Sequence, residues 1–269
     1  MRFWLILLLT LTACQPNMGA EPEAAFVLPE GRVVDLSHPY DEDTIYWPTA
    51  EGFKLTVDFE GMTDKDYYYT ANTFCSAEHG GTHIDAPIHF AEGRASIDEI
   101  SLERLMGHAV LIDVSESCID DPDYLVSVAD IERWETEHGV IPEEAIVLLH
   151  TGFARFWPDR VRYMGTDERG PEAVAKLHFP GLDPEAARWL VANRSINAIG
   201  LDTPSIDYGQ STHFESHQVL FAADIPAFEN LANIDQLPEK GFLVIALPMK
   251  IAGGSGGPLR IVAIVPEAG

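Results

Sequence analysis

Basic side chains are scarce in this chain. Seventeen Lys and Arg stand against 43 Asp and Glu, a formal charge of −26 over 269 residues. Such a surface repels phosphate backbones and anionic lipid, which argues against nucleic acid and against an anionic bilayer as partners. The acids are spread along the chain rather than gathered in a tail, so they read as a solvated surface. Cysteine is scarcer still: Cys14, Cys75 and Cys118 are the only three. Long apolar runs are missing as well. The stretch Phe3–Leu11 is far shorter than the ~20 residues that cross a bilayer. No nucleophile elbow is read either. The glycine-rich Gly253–Gly257 lies between two predicted strands, not on a strand-to-helix turn, and it also lacks the Lys-Ser/Thr ending of a phosphate loop.

What is there begins with a targeting pattern. Arg2 supplies a positive start, Phe3–Leu11 an apolar stretch, and Leu11-Thr12-Ala13-Cys14 resembles the end of a bacterial lipoprotein signal. That resemblance implies cleavage after residue 13, lipidation of Cys14 and tethering on the periplasmic side of the cell envelope. An ordinary secretory signal is the alternative. Residues 14–30, rich in Pro, Ala and Glu, read as a flexible tether, and residues 31–269 as a single domain. An exported location permits a disulfide between Cys75 and Cys118, but nothing in the sequence brings them together.

Within the domain, short β-branched or alternating runs at 32–39, 53–60 and 67–76 predict strands. A short helix follows at 101–107, ended by Gly107, and a buried strand at 108–115. The spacing predicts a helix over 128–139 with Asp130 as candidate N-cap, and another over 182–194 capped by Asp183 with Pro184 in its first turn. Strands are expected at 144–152, 196–205, 241–251 and 259–266, and a short helix at 215–224. This alternation gives a mixed α/β (α+β) class with a substantial sheet.

The stretch His79-Gly-Gly-Thr-His83-Ile-Asp85-Ala-Pro-Ile-His89 crowds three imidazoles and a carboxylate around two glycines and a proline. A continuous helix would send Asp85 nearly opposite to His79 and His83, and the glycines and Pro87 oppose one. A tight irregular turn is expected instead, with side chains converging from different directions. Imidazole nitrogen and carboxylate oxygen together are the donors that Zn²⁺, Mn²⁺ or Fe²⁺ accept.

The pattern His-x-Gly-Thr-His-x-Asp-x-Pro-x-His at 79–89 resembles the signature of the metal-dependent cyclase family, which includes bacterial kynurenine formamidases and isatin hydrolases. The resemblance implies a swivelling β/β/α fold, usually a homodimer. It implies that His79, His83 and Asp85 bind a catalytic metal, Zn²⁺ or Mn²⁺ as one or two ions, with His89 as the acid–base residue. The block "DTPSIDYGQSTHFESHQVLFAADIPAFENL" resembles the family's later His…Glu element, which implies that His217 and Glu229 join the same site. His213 rivals His217 for that role. Trp47 resembles a pocket tryptophan, and Phe90, Phe153 and Phe214 are further candidates for the pocket wall. Asp202 and Thr203, after a buried strand, are functional-loop candidates or turn formers.

The activity implied is metal-assisted hydrolysis of a small aryl amide, either an N-formylated arylamine or a cyclic amide such as isatin. A non-catalytic metal- or solute-binding lipoprotein is the reading from another class.

Overall fold

The structure, a computed structural model, describes residues 31–267. The signal over 1–13, the tether over 14–30 and the expected lipid anchor at Cys14 lie outside the described residues. In chain order the strands are β1 (Gly31–Asp35), β2 (Lys54–Met62), β3 (Tyr68–Cys75), β4 (His83–Asp85), β5 (Met106–Asp113), β6 (Leu125–Val126), β7 (Ile146–His150), β8 (Gly181–Leu182), β9 (Ala198–Leu201), β10 (Ala227–Glu229), β11 (Lys240–Pro248) and β12 (Gly256–Pro266). The helices are α1 (Leu102–Leu105), α2 (Ser115–Asp120), α3 (Val128–His138), α4 (Arg160–Met164), α5 (Pro184–Asn193) and α6 (Glu215–Ala222).

Eight strands form one sheet in the order β1-β12-β11-β5-β7-β9-β10-β4, and β4 also pairs with β12, so the sheet closes on itself. Strands β5, β7, β9 and β10 run parallel, whereas β4, β11 and β12 join antiparallel. The continuous apolar runs of β5 and β7 follow from burial on both faces. Ala109, Leu111, Ile146 and Leu148 pack inside the closed sheet with Ile84 and Phe228. Val110, Ile112, Val147 and Leu149 face the other way, against Ile131 and Trp134 of α3, Leu190 of α5 and Leu220 and Phe221 of α6. Truncating a fully buried leucine such as Leu148 to Ala costs about 2–5 kcal/mol.

Several local expectations are corrected. Helix α3 is capped by Ser127, and Asp130 is the reciprocal N3 partner of a capping box. Gly107 sits inside β5 rather than ending a helix. Gly256 and Gly257 belong to β12, where they pair with Asp85 and Ile84. Cys75 is exposed, Cys118 is buried, and both are free thiols. Asp183 does cap α5, accepting from the Glu185 N–H at 2.8 Å.

Strands β2 and β3 form a separate two-stranded hairpin. It leaves Leu55, Val57, Phe59, Met62, Tyr68, Tyr69 and Phe74 exposed.

Candidate metal centre

The expected irregular turn over 79–89 is interrupted: residues 79–82 turn, residues 83–85 form a true strand, and Pro87–His89 make a 3₁₀ turn. Gly80 and Gly81 make the transition. A Cβ on Gly80 would lie 2.1 Å from the Tyr46 ring, and Gly81 has φ +59, in the left-handed region that favours glycine. The Tyr40 hydroxyl fixes the turn from between the carbonyls of Gly80 (2.8 Å) and Thr82 (2.6 Å), which share its one proton.

Strand alternation then does the sorting. Ile84 points into the closed sheet, so His83 and Asp85 share the opposite face, beneath α6. On the neighbouring β10, Phe228 is the register partner of Ile84, and Glu229 that of His83. Glu229 therefore stands on the same face as the two β4 donors. Helix α6 lowers His217 onto them from above.

The donors converge on Asp85. Its Oδ1 lies 2.6 Å from His79 Nδ1 and 3.1 Å from His83 Nε2; its Oδ2 lies 3.1 Å from His217 Nε2. Glu229 closes the ring, with Oε2 3.4 Å from His83 Nε2 and Oε1 3.3 Å from His217 Nε2. Two sets of three ligand atoms lie within 4.8 Å of one another: His83, Asp85 and Glu229, and His79, Asp85 and His89. This grouping differs from the implied triad of His79, His83 and Asp85, although each of those histidines contacts Asp85. It also places His89 among the donors; its ring stacks on His79 at 3.8 Å.

Each ring is held from behind. His83 Nδ1 donates to the Gly81 carbonyl at 2.9 Å, which the Asn230 amide also meets at 2.8 Å. His217 Nδ1 is 2.6 Å from Asp207. His79 Nε2 donates to Ser255 Oγ at 2.9 Å, and Ser255 donates to Glu78 at 2.7 Å. Ser255 is thus an acceptor behind a ring, and its place in the glycine-rich segment gives it a supporting role. Asp207, Asn230, Ser255 and Glu78 were missed in the sequence because no spacing motif links them to the histidines they hold.

The residues present fit a divalent cation. His83 Nε2 is buried and has no hydrogen-bond partner, yet it faces two carboxylates. Burial and then the charge of Asp85 push the Glu229 carboxyl up. Burial pushes Asp85 the same way, but the imidazoles of His79, His217 and His83 reverse it and hold it well below the usual carboxylate range. Burial opposes charging His83, and Asp85 and Glu229 overcome that. Among the described residues, no Lys or Arg lines the cavity above these groups. Two buried carboxylates that meet imidazoles and one backbone N–H fit a divalent cation by their chemistry.

The cavity measures about 300 Å³, at the lower end of the range for small-molecule sites. Trp47 and Phe90 line it with Phe214, Tyr46 and Ile45. Phe214 lies edge-on to Trp47 at 6.1 Å and 5.4 Å from Phe90. His213 is exposed and does not line the cavity. Phe153 packs in the core. Asp202 is buried and accepts from the Thr151 N–H (2.8 Å) and hydroxyl (2.7 Å), so it braces the loop rather than facing the cavity.

Residues 34–208 match the Cyclase family, described as "Putative cyclase". The isatin hydrolase of Roseibium aggregatum is 33% identical over 209 residues, covering 75% of this chain and 77% of that protein. The kynurenine formamidase of Polaromonas naphthalenivorans is 29% identical over 231 residues, covering 86% and 90%. A crystal structure of an isatin hydrolase bound to the product analogue thioisatinate superimposes with a TM-score of 0.79 at 30% identity, over 88% of this chain and 94% of that one. The barrel closed by β4, the His/Asp/Glu donors on its outer face and this run of matched sequence point the same way: the chain belongs to the cyclase family.

Proposed function

We propose that this protein is a metal-dependent hydrolase that cleaves the carbon–nitrogen bond of a small aryl amide, either an N-formylated arylamine or a cyclic amide such as isatin. The observation that carries the reading is the partnerless, buried Nε2 of His83 facing Asp85 and Glu229 at the floor of an aromatic-walled cavity. The names of the relatives, isatin hydrolase and kynurenine formamidase, support the substrate class. His79, His83 and Asp85 would hold one ion, as the resemblance implies; His217 and Glu229, the latter grouped with His83 and Asp85, would complete it or hold a second beside Asp85. A bound Zn²⁺ or Mn²⁺ supplies Lewis acidity at the amide carbonyl and acidifies the attacking water.

The chain's own residues do the rest. His89, half-buried among neighbouring imidazoles, has its pKa lowered to about 4, with burial as the main cause. It is therefore neutral at physiological pH and free to accept a proton. It takes that proton from water as the new C–O bond forms and returns it to the nitrogen as the C–N bond breaks. Trp47, Phe90 and Phe214 hold the aryl ring and keep bulk water from the carbonyl.

The test is hydrolysis of N-formylkynurenine and of isatin by the purified protein, before and after chelation and with Zn²⁺ or Mn²⁺ restored. Turnover that survives complete metal removal rejects the reading. Metal binding without turnover on either substrate, or on a wider amide panel, rejects the hydrolase assignment.

The same reading includes a homodimer. An isolated two-stranded hairpin is at best marginally stable in water, and β2 and β3 expose apolar side chains along their length. A second copy of the chain is the occupant that would cover them.

A further inference from the structure

His217 turns one ring nitrogen toward the centre and the other toward Asp207. Nε2 sits 3.1 Å from Asp85 Oδ2 and 3.3 Å from Glu229 Oε1; Nδ1 sits 2.6 Å from Asp207 Oδ2. Asp207 is 1% exposed, and the groups around its carboxylate are donors. Its Oδ1 accepts from the Ser216 N–H (3.1 Å) and the Ser211 hydroxyl (3.3 Å), and its Oδ2 also accepts from the His217 N–H (3.2 Å). With donors on every other side of the Asp207 carboxylate, the proton on the short contact is placed on Nδ1, and Nε2 is the nitrogen that a neutral ring turns toward the centre. The adjoining residue does a parallel job: the Ile206 N–H donates to Glu229 Oε1 at 2.7 Å. Two successive residues of one loop thus support two of the candidate ligands.

We propose that Asp207 is a positioning residue: it fixes His217 as the Nδ1–H tautomer, so that Nε2 is presented as a metal ligand beside Asp85 and Glu229. This rests on the reading of His217 as a ligand. Asp207→Asn separates the role from simple packing. If the Asn oxygen faces Ser216, its NH₂ donates to Nδ1 and drives the ring proton onto Nε2, at the loss of the acceptor for the His217 N–H. If the amide flips, its NH₂ confronts the Ser216 N–H and the helix start is disturbed.

The experiment uses the full chain and Zn²⁺ alone. Metal-stripped Asp207→Asn is expected to bind Zn²⁺ roughly 10- to 100-fold more weakly than wild type, in a chelator competition, as partners behind metal ligands commonly do. Ser211→Ala removes one donor to Asp207 without touching the ring, and its Zn²⁺ affinity is expected to match wild type even where its stability falls. The ¹⁵N spectrum of Zn²⁺-loaded wild type is expected to show His217 protonated at Nδ1, a measurement that needs no variant to fold. A proton on Nε2 in that spectrum, or unchanged Zn²⁺ affinity in Asp207→Asn while His217→Ala weakens it, overturns the positioning role alone. Unchanged affinity in His217→Ala overturns the parent reading and this one with it.

Discussion

His83 and Glu229 are register partners on adjacent antiparallel strands, and their Nε2 and Oε2 atoms lie 3.4 Å apart. The pairing is fixed by main-chain hydrogen bonds, so the donors are in place before any ion arrives. An ion that binds the folded chain and not the unfolded one stabilises it by RT ln(1 + [L]/Kd), about 4 kcal/mol at a thousandfold excess over Kd. At roughly 2–4 °C per kcal/mol for a domain of this size, Zn²⁺ should raise the midpoint of metal-stripped protein by about 8–16 °C. Glu229→Gln should lose much of that gain. Differential scanning calorimetry with and without chelator reads both, and an unchanged midpoint in wild type refutes the cation site.

The stacking of His89 on His79 gives His89 two possible duties, acid–base residue or ligand. The acid–base role predicts that His89→Ala retains wild-type metal content while kcat falls roughly 10²- to 10⁴-fold. His83→Ala should lose metal and turnover together. Elemental analysis beside steady-state kinetics decides it. Loss of metal from His89→Ala would make the residue a ligand.

How much of this site was legible follows from where its order comes from. The run His79–His89 was readable because the donors are close in sequence and their residue types announce the chemistry. Its geometry was not, since a three-residue strand between β10 and β12 leaves no periodic trace. Glu229 shows the same limit. Its place beside His83 is set by register across nearly 150 intervening positions, and only family resemblance pointed to it. Asp130 read as a cap because its type suits one, yet Ser127 holds the cap position and Asp130 answers it. The strands β5, β7 and β9 were plain because burial on both faces writes a continuous apolar run.

Phe214 has φ +51, an unusual backbone for a bulky side chain, and its ring stands against Trp47 and Phe90. If these rings form the aryl wall, Trp47→Ala and Phe214→Ala should each raise KM for an aryl formamide about tenfold, the equivalent of losing about 1.4 kcal/mol of contact. Turnover of a short aliphatic formamide should change little. Equal losses on both substrates would mean that the rings support the fold and not the ligand.

The hairpin gives a prediction about assembly. Leu55 and Val57 are each 56% exposed. Replacing both with Lys should leave a folded monomer where wild type is a dimer, as read by size exclusion with light scattering. Charged residues on a strand that a partner covers oppose pairing, whereas on a free strand they are harmless. A wild type that runs as a monomer at micromolar concentration ends the homodimer reading.

Away from the metal centre, His38 is a candidate source of acid sensitivity. Its ring stacks on Trp157 at 4.1 Å with an 8° interplanar angle, and its Nε2 is buried without a partner. Burial lowers its pKa to about 4, against a weaker opposing pull from Asp35. The titratable and charged groups on other elements around the two cavities that His38 adjoins include His150, Arg155, Asp235 and Arg260. A histidine whose folded pKa lies below its unfolded value of ~6.5 binds fewer protons when folded, so stability is greatest above that value and falls as pH drops towards 4. A depression of this size corresponds to about 3 kcal/mol lost across the window. Depressed carboxylates such as Asp113 act in the same direction only at more acid pH. His38→Phe keeps a ring on Trp157 and cannot titrate. Urea denaturation between pH 6.5 and 4 should therefore show a shallower decline for His38→Phe than for wild type. Parallel slopes for the two proteins would place the acid sensitivity elsewhere.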